Sequence, residues 1–159
     1  MGCISVSTLA VIRKEKFMDH PQEVSAERPE SKTILIVEDD ASVGASLVQA
    51  IVEETPYLAF LVIDPLEALQ VMRDLKPDMM LLDYQLPHMN GFELYDRMQE
   101  QKVLSDIPIL FISANLPQKE IERRHLIGMR KPFELDDLLS TIEKVLSSPE
   151  DYTVKRTNN

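Results

Sequence analysis

Polar residues able to do chemistry stand where apolar runs of this chain stop. Glu38, Asp39 and Asp40 follow Ile34–Val37, Asp83 closes Met79–Leu82, Ser113 closes Ile107–Ile112, and Lys131 comes just after Leu126–Met129. Carboxylates gathered in one place repel one another and call for a cation, and an all-oxygen set favours a hard ion such as Mg²⁺. A carboxylate is also a nucleophile toward phosphorus, giving an acyl phosphate. Phosphoryl transfer asks for in-line placement and for neutralisation of the equatorial oxygens. With Asp83 as nucleophile, Mg²⁺, the Lys131 ammonium and the Ser113 hydroxyl could each take one such oxygen. Each residue alone has a plainer reading. The acidic triplet could be a helix start favoured by the dipole, Asp83 a turn former, Ser113 a cap and Lys131 a surface lysine. Their joint placement at four run ends argues against coincidence.

The elements that must bring these residues together follow from the apolar pattern. Ile34–Val37 reads as a strand buried on both faces. Asp40 is placed to cap a helix whose face is Val43, Leu47, Ala50 and Ile51. Tyr57–Ile63 is a second run, and Pro65 opens a helix with the face Ala68, Leu69, Met72 and Leu75, stopped at Lys76-Pro77. After Asp83 comes a loop with Pro87 and Asn90-Gly91, then a helix from about Phe92 to Gln101. Pro117 begins a short helical piece. The fifth run, Leu126–Met129, is interrupted by Gly128, and the last helix carries Leu135, Leu138, Leu139, Ile142, Val145 and Leu146 on one face. Five runs alternating with five helical segments predict an α/β fold, a doubly wound five-stranded parallel sheet with helices on both faces. In such sheets, sites form at the carboxyl ends of the strands.

A length of 159 residues suits one domain with tails, and 44% hydrophobic residues suit a packed core. The boundaries predicted are an N-terminal extension over 1–32, disordered, a domain over 33–147, and a disordered tail over 148–159. A net charge of -10 argues against direct nucleic-acid binding. The lone Cys3 excludes an internal disulfide and fits a reducing, cytoplasmic setting. The apolar stretch Cys3–Ile12 precedes its basic cluster, the reverse of a signal peptide, and is too short to span a bilayer. Val6 stands where the myristoylation pattern wants Ser or Thr, so no membrane association is expected. Met18 offers a second possible translation start.

The segments ILIVEDD at 34–40, MMLLDYQLPHMNGFEL at 79–94, ILFISA at 109–114 and KPF at 131–133 resemble the response-regulator receiver domain of two-component signalling. The resemblance runs over roughly 33–147. It implies a flavodoxin-like (βα)5 fold with strand order 2-1-3-4-5. It further implies that Asp83 is the phosphoacceptor. Glu38, Asp39, Asp83 and the backbone carbonyl of Gln85 would hold Mg²⁺, with Ser113 and Lys131 on the phosphoryl oxygens and a cis bond before Pro132. The donor would be a sensor histidine kinase or a histidine phosphotransfer protein, and the output a contact with a downstream protein target. Self-phosphorylation and self-dephosphorylation would be its only catalysis.

The sequence departs from that family between Ser113 and Lys131. The interval is shorter by about one helical turn, and Gly128 stands where the family has its aromatic switch residue. A signal could instead leave through ordering of Asn115–His125. Two other classes stay open: a pseudo-receiver that binds partners without phosphate, and an aspartyl phosphatase. The latter would want Asp at the position of Gln85.

Overall fold

A computed structural model of the chain describes residues 10–11, 31–103 and 106–153. The strands are β1 (Ala10–Val11), β2 (Thr33–Val37), β3 (Leu58–Val62), β4 (Met79–Asp83), β5 (Ile109–Ser113) and β6 (Ile127–Arg130). The helices are α1 (Ala41–Glu54), α2 (Pro65–Leu75), α3 (Gly91–Glu100), α4 (Gln118–Arg123) and α5 (Leu135–Ser147). The sheet order is β1-β3-β2-β4-β5-β6, with β2 to β6 mutually parallel. These five strands form the parallel sheet that the apolar runs predict, in the order that the resemblance implies.

Burial follows the period of two that a pleated strand imposes. Leu35, Val37, Met80, Leu82, Ile109 and Phe111 point to one face and pack against α2, α3 and α4. Ile34, Ile36, Met79, Leu81, Leu110 and Ile112 point to the other and pack against α1 and α5. Both faces are therefore covered, which is why the runs read as unbroken apolar stretches. Each fully buried side chain of this size stabilises the fold by about 1.5–3 kcal/mol.

Two expectations need correction. The α1 face is rotated: Gly44, Val48 and Ile51 are buried, whereas Val43 is 39% exposed. Gly44 lies against Leu61 of β3, so the helix approaches the sheet along its smallest residue. Leu135, at the first position of α5, is exposed rather than part of the face. Outside the domain expected over 33–147, a short element is described at each end. β1 pairs antiparallel with β3, Ala10 opposite Leu61 and Val11 opposite Phe60. After α5 a 3-10 turn spans Pro149–Asp151, and Tyr152 packs against the α1–α5 core. The rest of 1–30 and of 154–159, Cys3 and Met18 included, lies outside the described residues.

Candidate functional site

The parallel register decides which residues meet. Val37 pairs with Leu82, Asp83 with Ile112, and Ser113 with Arg130. The residues that end these strands therefore share one edge of the sheet. Glu38, Asp83 and Ser113 are the buried polar or charged residues among the described ones, at 4%, 8% and 1% exposure. Ionisable groups are rarely buried unless paired, so their clustering marks a site.

The three successive acids after β2 do three different things. Glu38 turns inward: its Oε1 accepts the Asp40 N–H at 3.1 Å, and its Oε2 lies 3.0 Å from Lys131 Nζ. Asp39 remains exposed, with a carboxylate oxygen in a triad formed with Glu38 and Asp83, all within 4.8 Å of one another. Asp40 caps α1, accepting the N–H groups of Ser42 and Val43 at 3.0 and 3.1 Å. The oxygen-only donor set at the triad fits a hard divalent cation, as the sequence suggested.

Asp83 is held from both sides. Its Oδ1 accepts the Gln85 N–H at 2.8 Å and its Oδ2 lies 3.3 Å from Lys131 Nζ. Burial pushes the Glu38 carboxyl up to about 7; the Lys131 bond opposes this and the neighbouring Asp83 charge adds to it. Burial pulls the Lys131 ammonium down, but Glu38 and Asp83 outweigh it and raise the group above its ordinary value. Lys131 is thus a cation fixed beside Asp83. The bond between Lys131 and Pro132 is cis, as the resemblance implied.

The β4–α3 loop pins the backbone next to Asp83. Asn90 and Glu93 form a reciprocal capping box at the start of α3. Gln85 bridges Asn90, and the Gly91 N–H donates to the Tyr84 carbonyl at 2.7 Å. A Cβ on Gly91 would lie 2.8 Å from the Asp83 carbonyl oxygen, which explains the Asn-Gly step at this turn. The sequence showed the spacing from Asp83 to Gly91 but not this contact.

The departure between Ser113 and Lys131 is visible as a six-residue α4. The segment from Asn115 to His125 carries α4 over Gln118–Arg123. Arg124 ties its far end to α3, with Nη1 2.6 Å from Asp96 Oδ1 and Cζ 4.9 Å from the Phe92 ring centroid. Gly128 pairs with Phe111, and the space above it holds Leu116 and Ile121. Leu116 was not singled out from the sequence, because a single apolar residue in a loop has no period to reveal it.

Comparison with known proteins agrees with this geometry. The family model described as the response regulator receiver domain matches residues 34–143. The polar-differentiation response regulator DivK of Brucella anthropi is 29% identical over 72% of this chain and 96% of its own length. The phosphate regulon transcriptional regulatory protein PhoB of Pseudomonas aeruginosa is 32% identical, but this chain spans about half of it, 52%. The chain likewise spans 54% of the probable transcriptional regulator ycf29 of Pyropia yezoensis. Among solved structures, chemotaxis protein CheY4 of Vibrio cholerae aligns with a TM-score of 0.65 at 26% identity, covering 72% of this chain and 98% of that one. A CheY-like receiver domain of Methanospirillum hungatei shares the fold at a TM-score of 0.67 and 23% identity, over 77% of this chain and 99% of its own. With its five parallel strands, its acidic strand-end cluster and a family match over most of its length, this chain belongs to the response regulator receiver domain family.

Proposed function

We propose that the chain is a phosphorylation switch in which Asp83 accepts a phosphoryl group from a phosphohistidine on a sensor histidine kinase or phosphotransfer protein. The observation that carries this reading is the pairing of buried Asp83 with Lys131 Nζ at 3.3 Å, beside Glu38 and Asp39. An Asp83 oxygen would attack phosphorus as the P–N bond breaks, leaving the electron pair on the donor imidazole. Lys131, raised in pKa and therefore protonated, would follow the phosphoryl oxygens, and the Ser113 hydroxyl would donate to another. Asp39, Asp83, Glu38 and the Gln85 backbone carbonyl would hold Mg²⁺, which supplies neutralisation of the transferring oxygens when bound. The switch would act in the cytoplasm by changing contacts with a downstream protein target, without touching nucleic acid or membrane. None of the helices among the described residues is long and apolar enough to cross a bilayer.

Incubation with acetyl phosphate and Mg²⁺ tests this. The expected product is one added phosphoryl group, lost on hydroxylamine treatment and absent in Asp83→Asn. Phosphorylation of the Asp83→Asn protein to the same extent would overturn the assignment. A second reading, a partner-binding module that works without phosphate, draws on Gly128 in the place of the switch ring. It requires the Asp83→Ala protein to keep full function in cells.

A further inference from the structure

We propose that Leu116, in the loop between β5 and α4, is the side chain through which the state of Asp83 reaches the surface of α4. The inference rests on the phosphoacceptor reading above and concerns how the signal leaves the site. Leu116 is 6% exposed although Ala114 and Asn115 before it are exposed. It is seated over Gly128, where a Cβ would lie 2.4 Å from Leu116 Cδ2. Residue 128 has no side chain of its own, and Leu116 occupies the space beside it. Ile121 of α4 closes the same space from the helix side, its Cγ2 3.3 Å from that Cβ position.

Leu116 follows Ser113 with only Ala114 and Asn115 between them. Ser113 Oγ accepts the Asn115 N–H at 3.3 Å, a bond near the long limit for such contacts. A hydroxyl turned toward a phosphoryl group on Asp83 trades this weak bond for a charge-assisted one, which is shorter and stronger. The turn that delivers Leu116 to its seat is thereby released. Pro117 follows at once, and its carbonyl accepts the N–H groups of Glu120 and Ile121 at 2.9 and 3.1 Å. Displacement of Leu116 therefore moves the first turn of α4, while Arg124 keeps the other end fixed on Asp96 and Phe92. The helix tilts about its C-terminal end and re-presents Gln118, Lys119 and Glu122 to solvent. No rotating ring on β6 is needed.

The test is a titration of the full chain, ¹³C-labelled at leucine methyls and ¹⁵N-labelled throughout, with beryllofluoride and Mg²⁺ as a phosphoryl mimic. The Leu116 methyl signals are expected to shift with the same midpoint as the Gln85 and Ser113 amides. Gly128→Ala is expected to displace Leu116 in the absence of the mimic, moving its methyl signals toward the saturated wild-type positions. Shifts at Gln85 and Ser113 with stationary Leu116 methyls would overturn this proposal alone. A silent titration, Gln85 included, would overturn the phosphoacceptor reading and this proposal with it. A folded Gly128→Ala protein with Leu116 at its resting position would also overturn it; if that variant does not fold, the wild-type titration decides.

Discussion

Glu38 is where site chemistry and stability conflict. Its carboxyl is pushed up to about 7 in the fold from 4.5, chiefly by burial. A raised pKa means that the folded state holds the proton more tightly than the unfolded chain. The stability this group contributes is present below about 4.5 and is lost as pH rises through about 7. In metal-free protein, Glu38→Gln is therefore expected to flatten the fall in stability between those pH values, on the order of a few kcal/mol. The same variant is expected to weaken Mg²⁺ binding. Urea denaturation at a series of pH values, with and without Mg²⁺, measures both; an unchanged pH slope would refute the burial argument. Asp83, Lys131 and the acidic pair were legible in the sequence because each ends an apolar run. Glu38's bonds to Lys131 and to the Asp40 N–H were not, since chemically similar neighbours give no sign of which one turns inward.

At the scale of elements, two substitutions separate support of the site from participation in it. Asp40→Ala removes the α1 cap and is expected to cost about 1 kcal/mol while leaving the acetyl phosphate reaction proposed for Asp83 unchanged. Gly91→Ala places a methyl against the Asp83 backbone carbonyl rather than against a flexible side chain. It is expected to cost about 1–3 kcal/mol and also to slow the acetyl phosphate reaction proposed for Asp83, because the strained atom belongs to that residue. Thermal unfolding and the acetyl phosphate reaction on both variants check the contrast; equal reaction rates would show that the loop does not position Asp83. Strand and helix order followed from the apolar runs. The rotation of α1 did not, because Val43 and Gly44 are separated by packing against Leu61 and not by propensity. The short α4 was legible as a short interval in the sequence, whereas Leu116 over Gly128 needed three-dimensional placement.

For the whole molecule, a cation bound at the triad would link ligand binding to the global fold. An ion that binds the folded state alone stabilises it by about 2.7 kcal/mol at a hundred times its dissociation constant. Mg²⁺ is expected to raise the melting temperature in a saturable way, and Asp39→Asn to remove most of the effect. A rise of equal size in that variant would place the ion elsewhere. The sequence carried the architecture because parallel strands covered on both faces are written as long apolar stretches. It did not carry β1 or the 3-10 turn before Tyr152, which are too short to show a period.

β1 has one more consequence, for where the molecule can be cut. The family match begins at residue 34, yet the outer side of β3 is covered by Ala10–Val11, contributed from well before that boundary. A fragment trimmed to the family limits would keep every residue of the candidate site and leave the peptide groups of Phe60 and Leu61 open to a strand from a neighbouring molecule. Such a fragment would behave as a concentration-dependent assembler, and its self-association would be a property of the scissors rather than of the signal.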